Sequence, residues 1–121
     1  MVFIYKRRIP TGAGGMGIKT EIIGAILPKS GSFASTGIPT ITALKIAEQD
    51  VNEFLEKTNS SMRVKLLIED SKTNPSETLN AIKRLHKANA KIIAGPMTSA
   101  AVNAVMNYSN ENNILLISQA S

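Results

Sequence analysis

Apolar residues recur along this chain in two alternating rhythms. Ile22, Ile23, Ala25, Ile26 and Leu27 form a nearly continuous run, the mark of a strand covered on both faces. Pro28 to Gly37, rich in Gly, Ser and Lys, reads as a loop. Then the period lengthens to three and four. Ile41, Leu44, Ala47, Val51, Phe54 and Leu55 predict the inward stripe of a helix, with Lys45, Glu48, Gln49 and Glu56 on its solvent side. Asn59-Ser60-Ser61 breaks that helix, and Val64, Leu66, Leu67 and Ile68 give a second strand ending in Glu69-Asp70. Asn74 as N-cap, Pro75 at the first helical position and Glu77 in capping-box position start a second helix, whose stripe is Leu79, Ile82 and Leu85. Ile92 to Ala94 is a short third strand stopped by Gly95-Pro96. Thr98 or Ser99 caps a third helix with Val102, Val105 and Met106 inward; Asn112-Asn113 ends it, and Ile114 to Ile117 is a fourth strand.

Strands separated by helices of this length are parallel, with right-handed crossovers. The fold class is therefore α/β: an open parallel sheet with helices on both faces, in three layers. The pattern stops at Gln119-Ala120-Ser121 directly after a strand, so the sheet reads as cut off in mid-fold, with an exposed edge open to association.

At 121 residues there is room for one compact domain. Hydrophobic residues make up 43% and charged residues 19%, an ordinary globular balance with no apolar run approaching the roughly 20 residues of a membrane span. Cysteine is absent, which removes disulfides, thiolate metal sites and a cysteine nucleophile. The net charge of +5 first suggests a nucleic-acid partner. Placing the charges changes that picture. Lys6, Arg7, Arg8 and Lys19 precede the first acid, and the remaining chain carries basic and acidic residues in near balance. The basicity belongs to a glycine-rich tail, residues 1–20, and no aromatic stacking platform accompanies it, so no nucleic-acid partner is expected. In that tail the basic cluster follows the apolar Val2 to Tyr5, the reverse of an export signal. Gly12, Gly14 and Gly17 match the spacing of a dinucleotide loop, but no strand precedes them and no helix follows, so a flexible linker is the better reading.

Candidate chemistry gathers where the strands end, the usual ligand position in an open parallel sheet. Glu69 and Asp70 are an acid pair that in principle holds Mg²⁺; the simpler reading is an acid ordering a loop or a helix start. His86 lies mid-helix and reads as structural. Neither a metal nor a cofactor is expected. In Gly95-Pro96-Met97-Thr98-Ser99, glycine turns the chain off its strand, and the hydroxyls of Thr98 and Ser99 stand beside the unpaired N–H groups of a helix start, a cradle for a carboxylate. No base adjoins Ser99, so binding is favoured over nucleophilic attack, and the chain reads as a non-enzyme. The alternative is a serine serving only as a cap.

The runs IGAILPKSGSFASTG, ALKIAEQDVN, LLIEDSKTNPSETLNAIKRL, IIAGPMTSAAVNAVM and ILLISQAS, in this order and spacing, resemble the N-terminal part of the branched-chain amino-acid binding proteins over about residues 21 to 121. These are type I periplasmic substrate-binding proteins of ABC transporters, with two α/β lobes closing on a small ligand. The resemblance implies a solute-binding role, with residues 21–121 as the N-terminal portion of the first lobe. It implies an ABC permease as partner of the complete protein, and a periplasmic or cell-surface location. It also implies ligand contacts at Ser99, with Thr98 beside it, at Ala120 and Ser121 after the fourth strand, and at Thr36 by the cleft mouth. An extracellular sensor domain of the same fold is the alternative.

Overall fold

The computed structural model describes residues 17–118. The basic cluster Lys6-Arg7-Arg8, the glycines Gly12 and Gly14, and the candidate residues Ala120 and Ser121 lie outside them. Four strands alternate with three helices: β1 (Lys19–Leu27), α1 (Ala34–Lys57), β2 (Met62–Asp70), α2 (Pro75–Lys87), β3 (Ile92–Ala94), α3 (Ser99–Glu111) and β4 (Leu115–Ile117). The strands form one parallel sheet in the order β2-β1-β3-β4. Strand β1 starts at Lys19, inside the stretch read as tail, because Lys19 and Thr20 pair with Met62 and Arg63.

Side chains alternate across the sheet with period two, so each strand feeds both faces. Toward α2 and α3 go Ile26, Ile93 and Leu116, meeting Ala81, Ile82, Leu85 and Val105 in a closed core. Toward α1 go Ala25, Leu27, Leu66, Ile68 and Ala94, meeting Ile41, Leu44 and Met97. Gly24 sits on the first face, where a Cβ would lie 2.9 Å from Leu85 Cδ1; the absent side chain lets α2 approach β1.

Five expectations are corrected by the structure. Helix α1 begins at Ala34, not after Gly37, because the Phe33 carbonyl already accepts the N–H groups of Thr36 and Gly37, each at 3.0 Å. Gly37 is then a packing requirement, since a Cβ there would meet the Pro28 carbonyl oxygen at 1.9 Å. The inward stripe of α1 is narrower than its periodicity: Ala47, Val51 and Phe54 are exposed. Glu48 is half-buried and turned to β2, not to the solvent side. Its carboxylate accepts from Leu66 N–H at 2.7 Å, and Asn52, one turn on, exchanges two hydrogen bonds with Val64, at 2.8 and 2.9 Å. Together they occupy the outward backbone groups of β2 at Val64 and the N–H of Leu66, so that stretch of the edge is covered. On α3 the buried line is Ala101, Val105 and Ser109, while Met106 is exposed. The capping box of α2 is half made: Asn74 Oδ1 accepts from Glu77 N–H at 3.1 Å, but the Glu77 carboxylate turns to Asn80.

Candidate functional site

The carboxyl ends of the strands bring together three loops, residues 28–33, 71–74 and 95–98, with Ser118 beyond β4. Each starts or approaches a helix, so partially unpaired backbone N–H groups converge at one end of the sheet. At α3 the choice between two candidate caps is resolved. Thr98 is the N-cap, accepting from Ala101 N–H at 3.2 Å, and Ser99 is the first helical residue, exposed to solvent. Gly95 holds a φ of +96°, and a Cβ there would stand 2.2 Å from the Ile26 carbonyl oxygen, so only glycine lets the chain leave β3 in this direction. The Gly95-Pro96 peptide is cis. The Ser118 hydroxyl donates to the Pro96 carbonyl and ties the end of β4 to the same loop.

Two small cavities flank this corner, and Met97 lines both. One, of 190 Å³, is walled by Pro28, Phe33, Ser71, Thr73, Asn74, Pro75 and Thr98. The other, of 290 Å³, lies between α1 and β4 and is lined by Leu27, Thr40, Leu44, Ala94 and Ile117. Thr98 therefore adjoins a cavity. Ser99 and Thr36 line neither; both sit on exposed first turns, Ser99 on α3 and Thr36 on α1, where the Thr36 carbonyl accepts the Thr40 hydroxyl at 3.0 Å. The structure thus gathers Thr98, Ser99 and Thr36 at the carboxyl end of the sheet.

The acid pair divides. Successive strand residues point to opposite faces, so Glu69 and Asp70 do not share a ligand. Glu69 pairs with Arg84 of α2 at 2.7 Å. Asp70 accepts hydrogen bonds from Lys29 N–H, Lys72 N–H and the Ser30 hydroxyl, each at 2.8 Å. Its partial desolvation raises the carboxyl pKa, but the bonds from Lys72, Ser30 and Lys29 outweigh this and hold it below the usual carboxylate range. Thr73 adds to this clasp, its hydroxyl donating to the Ser30 carbonyl at 3.0 Å and accepting from Phe33 N–H at 3.2 Å. Lys72 and Thr73 hold φ values of 55° and 53°, consecutive left-handed residues that each cost roughly 1 kcal/mol or more. The simpler sequence reading, an acid that orders a loop, holds for Asp70, but its partners across the two loops were not foreseen. The signal was the pairing of Ser30-Gly31 with Asp70 and Thr73 across two strand ends, which becomes visible once β1 and β2 are known to be neighbours.

Among the described residues no three of His, Asp and Glu cluster at metal-binding distance. His86, half-buried, meets the Tyr108 hydroxyl through Nδ1 at 2.8 Å and stands edge-on to its ring, with Lys83 over that ring. This is an α2–α3 staple remote from the strand ends. No helix among the described residues is long and apolar enough to cross a membrane.

Comparison with known proteins matches the fold to solved structures. A leucine-binding protein, LivK, from Thermotoga maritima is 25% identical, with a TM-score of 0.72 over 84% of this chain and 28% of its own. The branched-chain amino-acid transporter substrate-binding protein LivJ of Streptococcus pneumoniae, solved with isoleucine, is 24% identical, with a TM-score of 0.68 over 85% of this chain and 30% of its own. An uncharacterized protein of Methanocaldococcus jannaschii is 30% identical over 99 residues, 82% of this chain and 24% of that protein. The chain thus spans less than a third of the length of each of these. The periplasmic binding protein family model matches residues 22–121, nearly the whole span in which strands and helices alternate, and the chain belongs to that family.

Proposed function

We propose that this chain supplies the first-lobe half of the ligand site in a solute-binding component of an ABC-type uptake system for branched-chain or similar amino acids. The ligand carboxylate sits at the start of α3, held by Ser99 and the backbone N–H groups of its first turn, with Thr98 ordering that turn. Ala120 and Ser121, just past β4, contribute further polar contacts, and Thr36 stands at the mouth. The observation that carries this reading is the corner itself: a capped helix start with an exposed serine, at the carboxyl end of a parallel sheet, in a chain of the periplasmic binding protein family. The chemistry it supports is binding. A helix N-terminus and hydroxyls stabilise an anion and leave its bonds intact, so the chain acts without catalysis.

The complete protein, in this reading, works outside the cytoplasmic membrane and delivers its ligand to a permease. The β4 edge, which no described strand pairs on its outer side, is where this chain associates with further protein. Calorimetric titration with L-leucine, L-isoleucine and L-valine tests the assignment. Binding weakened about tenfold by Ser99→Ala supports it, consistent with loss of a hydrogen bond to a charged group. An affinity that Ser99→Ala leaves unchanged removes the carboxylate from this corner.

A further inference from the structure

The β1–α1 and β2–α2 loops are fastened to each other by two side chains some 40 residues away in sequence from the loop they hold. Asp70 spends both carboxylate oxygens on this: Oδ1 takes the N–H groups of Lys29 and Lys72, and Oδ2 takes the Ser30 hydroxyl. Thr73 spans from the Ser30 carbonyl to Phe33 N–H, and Ser71 N–H donates to the Leu27 carbonyl at 3.1 Å. Gly31 is pressed against this assembly, where a Cβ would lie 2.7 Å from the Lys72 carbonyl oxygen. The left-handed pair Lys72-Thr73 is not an ordinary helix entry, because Asn74 caps α2 independently. Backbone held in that region persists where surrounding contacts over-determine it, and here the contacts are those of Asp70 and Thr73.

What the fastening fixes is the start of α1. That helix has no side-chain cap of its own. Ala34 N–H donates to the Gly31 carbonyl at 3.2 Å, Thr36 and Gly37 N–H donate to the Phe33 carbonyl, and Phe33 is in turn held by Thr73. Phe33 also walls the 190 Å³ cavity opposite Met97 and Thr98.

We propose that Asp70 is a positioning residue: by clasping the β1–α1 loop to the β2–α2 loop, it sets the first turn of α1, with Thr36, and holds Phe33 in the wall of the cavity that Thr98 also lines. Its importance for ligand binding rests on the function proposed above; the clasp itself does not. Neighbouring Glu69 is the natural control, since it bonds Arg84 on the opposite face and takes no part in the clasp.

Amide hydrogen exchange by NMR on the whole chain tests the proposal with Asp70→Ala, Asp70→Asn and Glu69→Ala. Asp70→Ala is expected to speed exchange at Lys29, Phe33, Thr36, Gly37 and Lys72 by about tenfold or more, while core amides such as Ile26 and Ile93 keep their protection. Asp70→Asn keeps an acceptor for the two N–H groups and offers its amide to the Ser30 oxygen, so exchange stays within about threefold of the parent. Glu69→Ala leaves these amides unchanged. Ser30→Ala, a milder cut that removes only one bond, gives an intermediate acceleration and covers the case in which Asp70→Ala does not fold. Unchanged exchange at Thr36 and Gly37 in Asp70→Ala, or an Asn variant as fast as the Ala variant, overturns the proposal. Titration of the same variants with L-isoleucine separates the two readings. Affinity lowered about tenfold in Asp70→Ala and restored by Asn supports the positioning role. Unaltered affinity in Asp70→Ala overturns it. These titrations are made in the complete protein; no binding there counts against the ligand reading, and the exchange data still decide the clasp.

Discussion

The two faces of the sheet are built to different degrees of closure. Toward α2 and α3, Ile26, Ile82, Leu85, Ile93 and Val105 are essentially inaccessible to solvent. Toward α1, only Ala25, Leu27 and Ile41 reach that state. One helix lies over β1 and β2, and the part of this face made by β3 and β4 has no described helix above it. Ile92, Leu115 and Ile117 therefore stand 42%, 57% and 61% exposed, beside a flank of α1 whose Ala47, Val51 and Phe54 are also open. Strand parity is the same on both faces; the number of described helices laid against each differs. A strand sequence records which way each residue points, and it does not record whether anything meets it there.

The contrast is tested most strongly by deleting side chains. Ile82→Ala or Ile93→Ala, in the closed face, is expected to destabilise by about 2–5 kcal/mol in chemical denaturation. Leu115→Ser or Ile117→Ser, on the open face, is expected to change stability by less than about 0.5 kcal/mol and to reduce self-association in light scattering or ultracentrifugation. Equal losses at both pairs would erase the distinction. Next in size is the covered stretch of β2: Asn52→Ala leaves the Val64 N–H and carbonyl without their side-chain partner and is expected to cost about 1–3 kcal/mol. A smaller effect, about 0.5–1.5 kcal/mol, is expected for Tyr108→Phe, which removes the α2–α3 bond to His86. The smallest concerns Asp70. Its carboxyl pKa is lowered in the folded state, so the stability it contributes is present above the unfolded-state value of 3.8 and is lost as pH falls through the lower folded value. Asp70→Asn is therefore expected to flatten the acid limb of the stability–pH curve only slightly, because the group is largely solvated. A steep change near neutral pH would contradict this assignment.

Much of the fold was legible in the sequence because apolar runs, helical stripes and punctuation agreed. Asn74-Pro75, Gly95-Pro96 and Asn112-Asn113 each mark an element boundary that the structure keeps. The exceptions share a physical cause. Along α1, period alone places Ala47, Val51 and Phe54 inward, but this helix sits at the margin of the sheet, and the side it turns to β2 carries Glu48 and Asn52, half-buried polar residues bonded to backbone. Hydrophobic periodicity cannot register a polar residue whose partner is a strand edge. The candidate site divides in the same way. Thr98 and Ser99 were readable from local capping chemistry. A loop-ordering role for Asp70 was readable too, but its pairing with Ser30 and Thr73 was not, because that depends on β1 and β2 lying side by side, a relation carried by tertiary pairing and not by any one segment.

The side-chain amide of Asn52 both gives and takes at Val64, so an incoming backbone finds no vacancy at that point on β2. A strand added at this point would have to displace that amide, so α1 shields the stretch of β2 it lies against.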